Sequence, residues 1–193
     1  PGQVLKPNWH IDLLCDWAKQ IMDGEKQRII VALPPRSLKS LIFSVALPAF
    51  VLGRNPSTHI LCASHNADLA NKLSSDCRKV MTAEFYLEAF PGTRLSPLKN
   101  TEDYYETTLN GSRRAVSPNG GLTGLGGDIL IVDDLVDAKD AHNVRLHEER
   151  RNWLHKSFFT RTNNANKTVQ IVVGQRLSTV DYMGALIASG DYE

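Results

Sequence analysis

Four short aliphatic runs constrain this chain more than anything else in it. They are Arg28–Leu33 (RIIVAL), His59–Ala63 (HILCA), Ile129–Val132 (ILIV) and Thr168–Val173 (TVQIVV). None shows the strict apolar–polar alternation of a half-exposed strand, so each reads as a strand covered on both faces. The segments between them have helical spacing. Asn8–Met22 places Ile11, Leu14, Cys15, Ala18 and Ile21 on one side and stops at Asp23-Gly24. Leu41–Leu47 is apolar enough for a buried helix that Pro48 should end or kink. Ala67–Met81 is amphipathic, Val144–Phe159 is charged with Trp153, Leu154 and Phe158 as anchors, and a last helix is expected near Asp181–Ser189. Buried strands alternating with helices define an α/β fold with a mainly parallel central sheet flanked by helices.

Composition narrows the function classes. At 193 residues the chain is one ordinary domain, and 42% hydrophobic with 22% charged residues excludes disorder as a whole. A net charge of +1 gives no general sign of nucleic-acid binding. The longest apolar run, Leu41–Leu52, is too short to span a bilayer, so no membrane role is expected. Pro1-Gly2-Gln3 is neither apolar nor basic, so no leader is expected, and the lack of an initial Met suits a piece of a longer protein. Cys15, Cys62 and Cys77 have no paired spacing and read as buried free thiols in a reducing compartment.

The middle of the chain carries turns. Pro91–Asn100 reads as a loop. Asn110-Gly111, between Tyr104–Leu109 and Ser112–Val116, is a strong hairpin signal. A glycine-dense stretch follows from Ser117 to Gly127.

Three loops fall at strand carboxyl ends, where α/β sheets bind ligands. After the first strand, Pro34-Pro35-Arg36-Ser37-Leu38-Lys39-Ser40 leads into a helix. That is the layout of a phosphate-binding loop, although Leu33 and Leu38 stand where GxxxxGK[ST] has glycines. In this reading loop amides from Pro35 to Leu41 cradle phosphates, Lys39 reaches the β- and γ-phosphates, and Ser40 ligates Mg2+. The plain alternative is a strand-to-helix turn with an exposed lysine. After the third strand come Asp133 and Asp134, a Walker B pattern. Asp133 is a candidate magnesium ligand and Asp134 a candidate for polarising water. The alternative is an acidic cap on the next helix, made by Asp134 or Asp137. After the fourth strand, Gly174-Gln175-Arg176 has a polar residue placed to sense a γ-phosphate. Arg36, Arg113 and Arg114 could supply charge to a phosphoryl transition state. Trp9-His10 could contact a base, or simply pack.

Together LPPRSLKS, FPGTRL, GLTGLGGDILIVDD and VVGQRLSTVDYMG resemble the large terminase subunit of tailed bacteriophages and prophages. The resemblance runs from Trp9-His10 to about Gly184. It implies a P-loop NTPase of the RecA/ASCE type whose ATP hydrolysis drives double-stranded DNA into a procapsid in the host bacterial cytoplasm. It implies ATP and Mg2+ as cofactors, and portal protein and small terminase subunit as partners. It implies a homo-oligomeric ring on the portal, with a monomer in isolation. Residue by residue, the phosphate-loop Lys and Ser fall on Lys39 and Ser40, the cis arginine on Arg36, and the Walker B pair on Asp133 and Asp134. The coupling motif falls on Gly174–Arg176, and the adenine region around Trp9, His10 and Asp12. Residues 1–193 are expected to form a nearly complete ATPase core, without the family's C-terminal nuclease domain.

Two departures stand out. Leu38 replaces a frequent glycine, which suggests a differently shaped loop and modest nucleotide affinity. Leu125 stands where relatives often carry a trans-acting arginine, which would shift that duty to Arg113 or Arg114. Competing readings are a catalytically weak prophage relic and another P-loop DNA translocase.

Overall fold

Seven strands form a single sheet in the computed structural model, which describes residues 7–193. Residues 1–6, on which the leader reading rests, lie outside the described residues. The strands are β1 (Arg28–Ala32), β2 (His59–Ala63), β3 (Leu95–Asn100), β4 (Tyr104–Thr107), β5 (Ser112–Val116), β6 (Ile129–Asp133) and β7 (Val169–Gly174). Their order across the sheet is β1-β7-β6-β2-β5-β4-β3. The first five run parallel. Strands β4 and β3 add an antiparallel edge.

The four aliphatic runs are the parallel strands β1, β2, β6 and β7, β1 at the edge of the sheet, and their two-sided apolar character suits a sheet covered on both faces. Side chains alternate between two cores. Ile29, Val31, Ile60, Cys62, Ile131 and Ile171 face one core; Ile30, Leu61, Leu130, Val132 and Val172 face the other. Helices α1 (Trp9–Met22), α2 (Leu47–Arg54), α3 (Ala67–Thr82) and α4 (Glu84–Ala89) cover the first face. Helices α5 (Val144–Trp153) and α6 (Tyr182–Ser189) cover the second. Each fully buried Ile, Leu or Phe here contributes about 1.5–3 kcal/mol relative to exposure. Among the described residues no helix is long and apolar enough to cross a membrane.

Several local expectations change. Pro48 does not end its helix: a π-helical turn, Leu41–Ala46, runs directly into α2, with Pro48 in the first turn of α2, where a missing N–H is tolerated. The charged helix expected over Val144–Phe159 likewise divides into α5 and a π-helical turn, Leu154–Phe158, with Leu154 and Phe158 fully buried. The stretch read as loop contains β3, an edge strand, which is where Pro97 can sit without interrupting a ladder on both sides. The hairpin forms as expected, with Asn110 at φ 66° and β4 paired to β5 through Tyr105 and Arg113. Cys62 and Cys77 are buried free thiols, but Cys15 is exposed on α1.

Candidate functional site

The loop after β1 turns twice through the left-handed region. Arg36 and Leu38 both have φ 64°. The expectation of a differently shaped loop at Leu38 is therefore corrected: leucine adopts the backbone that glycine adopts readily, at a strain of about 1–2 kcal/mol. The Ser37 hydroxyl donates to the Pro34 carbonyl at 2.8 Å and ties the turn. Pro35 and Arg36 are exposed, Leu38 is half-buried, and Leu41 is exposed at the helix entrance. The backbone turns helical at Lys39, and the Ile42 N–H donates to the Leu38 carbonyl at 3.0 Å.

Three side chains from this segment meet the end of β6. The Ser40 hydroxyl donates to Asp133 Oδ1 at 3.0 Å, and the Ser44 hydroxyl donates to Asp133 Oδ2 at 2.5 Å. The Lys39 ammonium, buried, lies 3.8 Å from Asp134 Oδ2. Sequence reasoning found Lys39, Ser40, Asp133 and Asp134, and missed Ser44. The signal was available: Ser44 is four residues beyond Ser40 and shares its helix face.

Asp134 neither caps a helix nor continues the strand. Its φ is 46°, its N–H donates to the Val173 carbonyl at 2.9 Å, and its own carbonyl accepts from the His65 N–H at 3.2 Å and from His65 Nδ1 at 2.9 Å. A carbonyl only accepts, so the proton sits on Nδ1. Asp137, the other candidate cap, does cap: its carboxylate accepts from the Lys139 N–H at the short turn Ala138–Asp140. Gly174 closes the space behind Asp134. A Cβ there would lie 2.8 Å from Met183 Sδ and 3.4 Å from Asp134 Oδ1.

Burial dominates the electrostatics. It pushes the Asp133 carboxyl up to about 6, opposed by the Ser44 hydroxyl, with Asp134 adding to the rise. Asp134 is also raised, by burial first, with Lys39 and His65 opposing. The Asp133 carboxyl is thus harder to ionise in the fold than in the unfolded chain, where its reference value is 3.8. Its contribution to stability is largest below about pH 4 and declines as pH rises toward 6. Urea unfolding across pH 4–7 should therefore show a decline that Asp133→Asn reduces by roughly 2–3 kcal/mol between the two ends, the raised Asp134 carboxyl keeping the rest. An unchanged profile would contradict this.

Among the described residues, no side-chain hydrogen bond or ion pair joins Gln175, Arg176, Trp9, His10 or Arg114 to these four side chains. Gln175 is half-buried, and Arg176 is taken by Asp181, with Nε at 2.9 and 3.0 Å from the two carboxylate oxygens. Trp9 is exposed at the start of α1, its ring edge-on to His10, and no hydrogen bond joins either to the loop after β1 among the described residues. Arg113 is fully buried inside the first core, so it cannot reach a neighbouring subunit; that expectation is overturned. Arg114 is half-buried over the Tyr104 ring at 5.0 Å.

One strand, β7, separates β1, which leads into the loop, from β6, which carries the carboxylates. A mainly parallel sheet of that order, with these groups at its carboxyl edge, is a P-loop fold of the ASCE type. Among solved structures the chain is similar to the large terminase of bacteriophage HK97, with 15% identity and a TM-score of 0.62 over 98% of this chain and 38% of that one. It is also similar to the large terminase ATPase domain of Thermus phage P74-26, with 14% identity and a TM-score of 0.60 over 89% of this chain and 70% of that one. The fold is that of large terminase ATPase domains, and the chain spans 38% of the length of the HK97 protein. No family model and no curated protein sequence matches it.

Proposed function

We propose that residues 1–193 form the ATPase domain of a motor that packages double-stranded viral DNA. The observation that carries this reading is the convergence of Lys39, Ser40, Asp133 and Asp134 at the carboxyl edge of a terminase-like sheet. The loop N–H groups from Arg36 to Leu41 and the Lys39 ammonium bind the nucleotide phosphates, with Pro35 shaping the turn that precedes them. The Ser40 hydroxyl and Asp133 carboxylate are hard oxygen donors of the kind Mg2+ prefers, and nucleotide oxygens and water complete the set. The chemistry such an ion supplies is neutralisation of charge on the phosphate oxygens. Asp134, raised and facing Lys39, orients a water for attack on the γ-phosphorus and accepts its proton as the bond to ADP breaks. Arg36, exposed and with no side-chain hydrogen bond or ion pair among the described residues, meets the γ-phosphate. Gln175 senses its loss, and Trp9 and His10 meet the adenine.

The remaining parts follow from the same reading. The motor works as a homo-oligomeric ring on the portal protein, with a small terminase subunit as partner, in the host bacterial cytoplasm, while the isolated domain is a monomer. The test of the site is equilibrium binding of a fluorescent ATP analogue with magnesium. Lys39→Ala should weaken it by about 10–100-fold, the worth of one charge-assisted phosphate contact, while the fold is kept. Equal binding by parent and variant would overturn the site.

A further inference from the structure

Beneath the phosphate loop the first core holds a charge that the proposed reaction does not use. Arg113, on β5, is fully buried. Its Nη2 donates to the Ser44 carbonyl at 3.1 Å, while Nε and Nη1 have no partner among the described residues. Cys62, Tyr105, Cys77 and Asp133 are the titratable groups that act on it. A guanidinium with two unpartnered nitrogens in a dry interior is a costly arrangement. The acceptor it does reach is informative. In an α-helix the Ser44 carbonyl would take the N–H of residue 48, and residue 48 is a proline without one. Arg113 thus supplies a donor where Pro48 has none. The same serine gives its hydroxyl to Asp133 Oδ2. One unbroken line of hydrogen bonds therefore runs from β5, through the π-helical turn, to the acidic end of β6.

We propose that Arg113 and Ser44 are a positioning pair for Asp133: Arg113 fixes the Ser44 main chain, and the Ser44 hydroxyl holds Oδ2. Oδ1 is left beside Ser40, and these two oxygens would hold the ion. This rests on Asp133 being the magnesium ligand. Neither residue touches the nucleotide. Their effect is confined to how well the carboxylate is presented, so they act on magnesium affinity and leave metal-free nucleotide binding alone. Groups that orient a ligand to a metal are typically worth 10–100-fold in metal affinity.

The experiment titrates MgCl2 against the protein with a fluorescent ADP analogue, in parallel with binding in EDTA. The proteins are the parent, Ser44→Ala, Arg113→Met, Arg113→Lys and the Ser44→Ala/Arg113→Met double variant. Ser44→Ala should raise the half-saturating magnesium concentration by about 10–100-fold with binding in EDTA unchanged. Arg113→Met should do the same, Arg113→Lys should stay within a few-fold of the parent, and the double variant should be no worse than either single one. Circular dichroism identifies any variant that fails to fold. If Arg113→Met fails, Ser44→Ala and Arg113→Lys still decide. A folded Ser44→Ala with the parent's magnesium requirement overturns the pair and leaves the site standing. Multiplying effects in the double variant overturn the serial link. A parent that binds no nucleotide at millimolar concentration overturns the site reading, and the pair with it, as a separate and recognisable result.

Discussion

Asp134→Asn should lower the rate of ATP hydrolysis by about 10²–10⁴-fold while nucleotide binding stays within a few-fold of the parent. The substitution is close to isosteric, so the left-handed backbone at φ 46° and the His65 contacts to the carbonyl are kept. What is lost is the group that accepts a proton. Asparagine retains an acceptor oxygen but has negligible basicity. The raised position of the Asp134 carboxyl makes it a better base than an exposed aspartate, because burial disfavours its charge. Single-turnover hydrolysis beside equilibrium binding separates the two effects. Loss of binding together with turnover would mean that Asp134 holds Lys39 in place rather than the water, since the two lie 3.8 Å apart. Unchanged turnover would remove Asp134 from the chemistry.

Asp181→Ala should cost about 3–5 kcal/mol of stability, the largest single effect expected outside the inner strands. Asp181 is almost fully buried. Its carboxylate accepts from the N–H groups of Leu177, Ser178 and Gly184 at 2.7, 3.1 and 2.6 Å, and pairs with Arg176. Alanine leaves those donors unsatisfied and the guanidinium without its anion, while α6 loses its cap. For a domain of this size the melting temperature should fall by roughly 6–20 °C. Although burial pushes this carboxyl up, the surrounding donors win and hold it below the usual carboxylate range. Its contribution is therefore present above about pH 4 and is lost as pH falls through the lowered value. Asp181→Asn should recover part of the loss at neutral pH and should blunt the acid sensitivity. A melting temperature unchanged in the alanine variant would show that the segment after β7 is held elsewhere.

The sheet was legible because β1, β2, β6 and β7 each carry enough buried aliphatic residues to announce themselves without context. The edge was harder. Strand β3 contains Pro97 and Asn100 and owes its conformation to pairing with β4 rather than to its own composition. Lys39, Ser40, Asp133 and Asp134 could be picked out because local motifs carry their chemistry, and the fold brings them within hydrogen-bond or ion-pair distance. Ser44 and His65 could not be picked out so easily. Their parts depend on partners 89 and 69 positions away. Arg113 misled for the same reason. An arginine in a polar-looking SRR triplet reads as surface, and only the register Ile60↔Arg113 turns it into the first core. Arg176 reads as a free coupling residue until Asp181, five positions on, is seen to hold it.

Among the described residues, three of the four non-glycine residues with positive φ, Arg36, Leu38 and Asp134, line the candidate site. A side chain with a Cβ disfavours that backbone by about 1–2 kcal/mol, a cost glycine does not carry. The candidate site is therefore a small store of strain, held in shape by contacts such as the Ser37 hydroxyl on the Pro34 carbonyl and the His65 contacts to the Asp134 carbonyl.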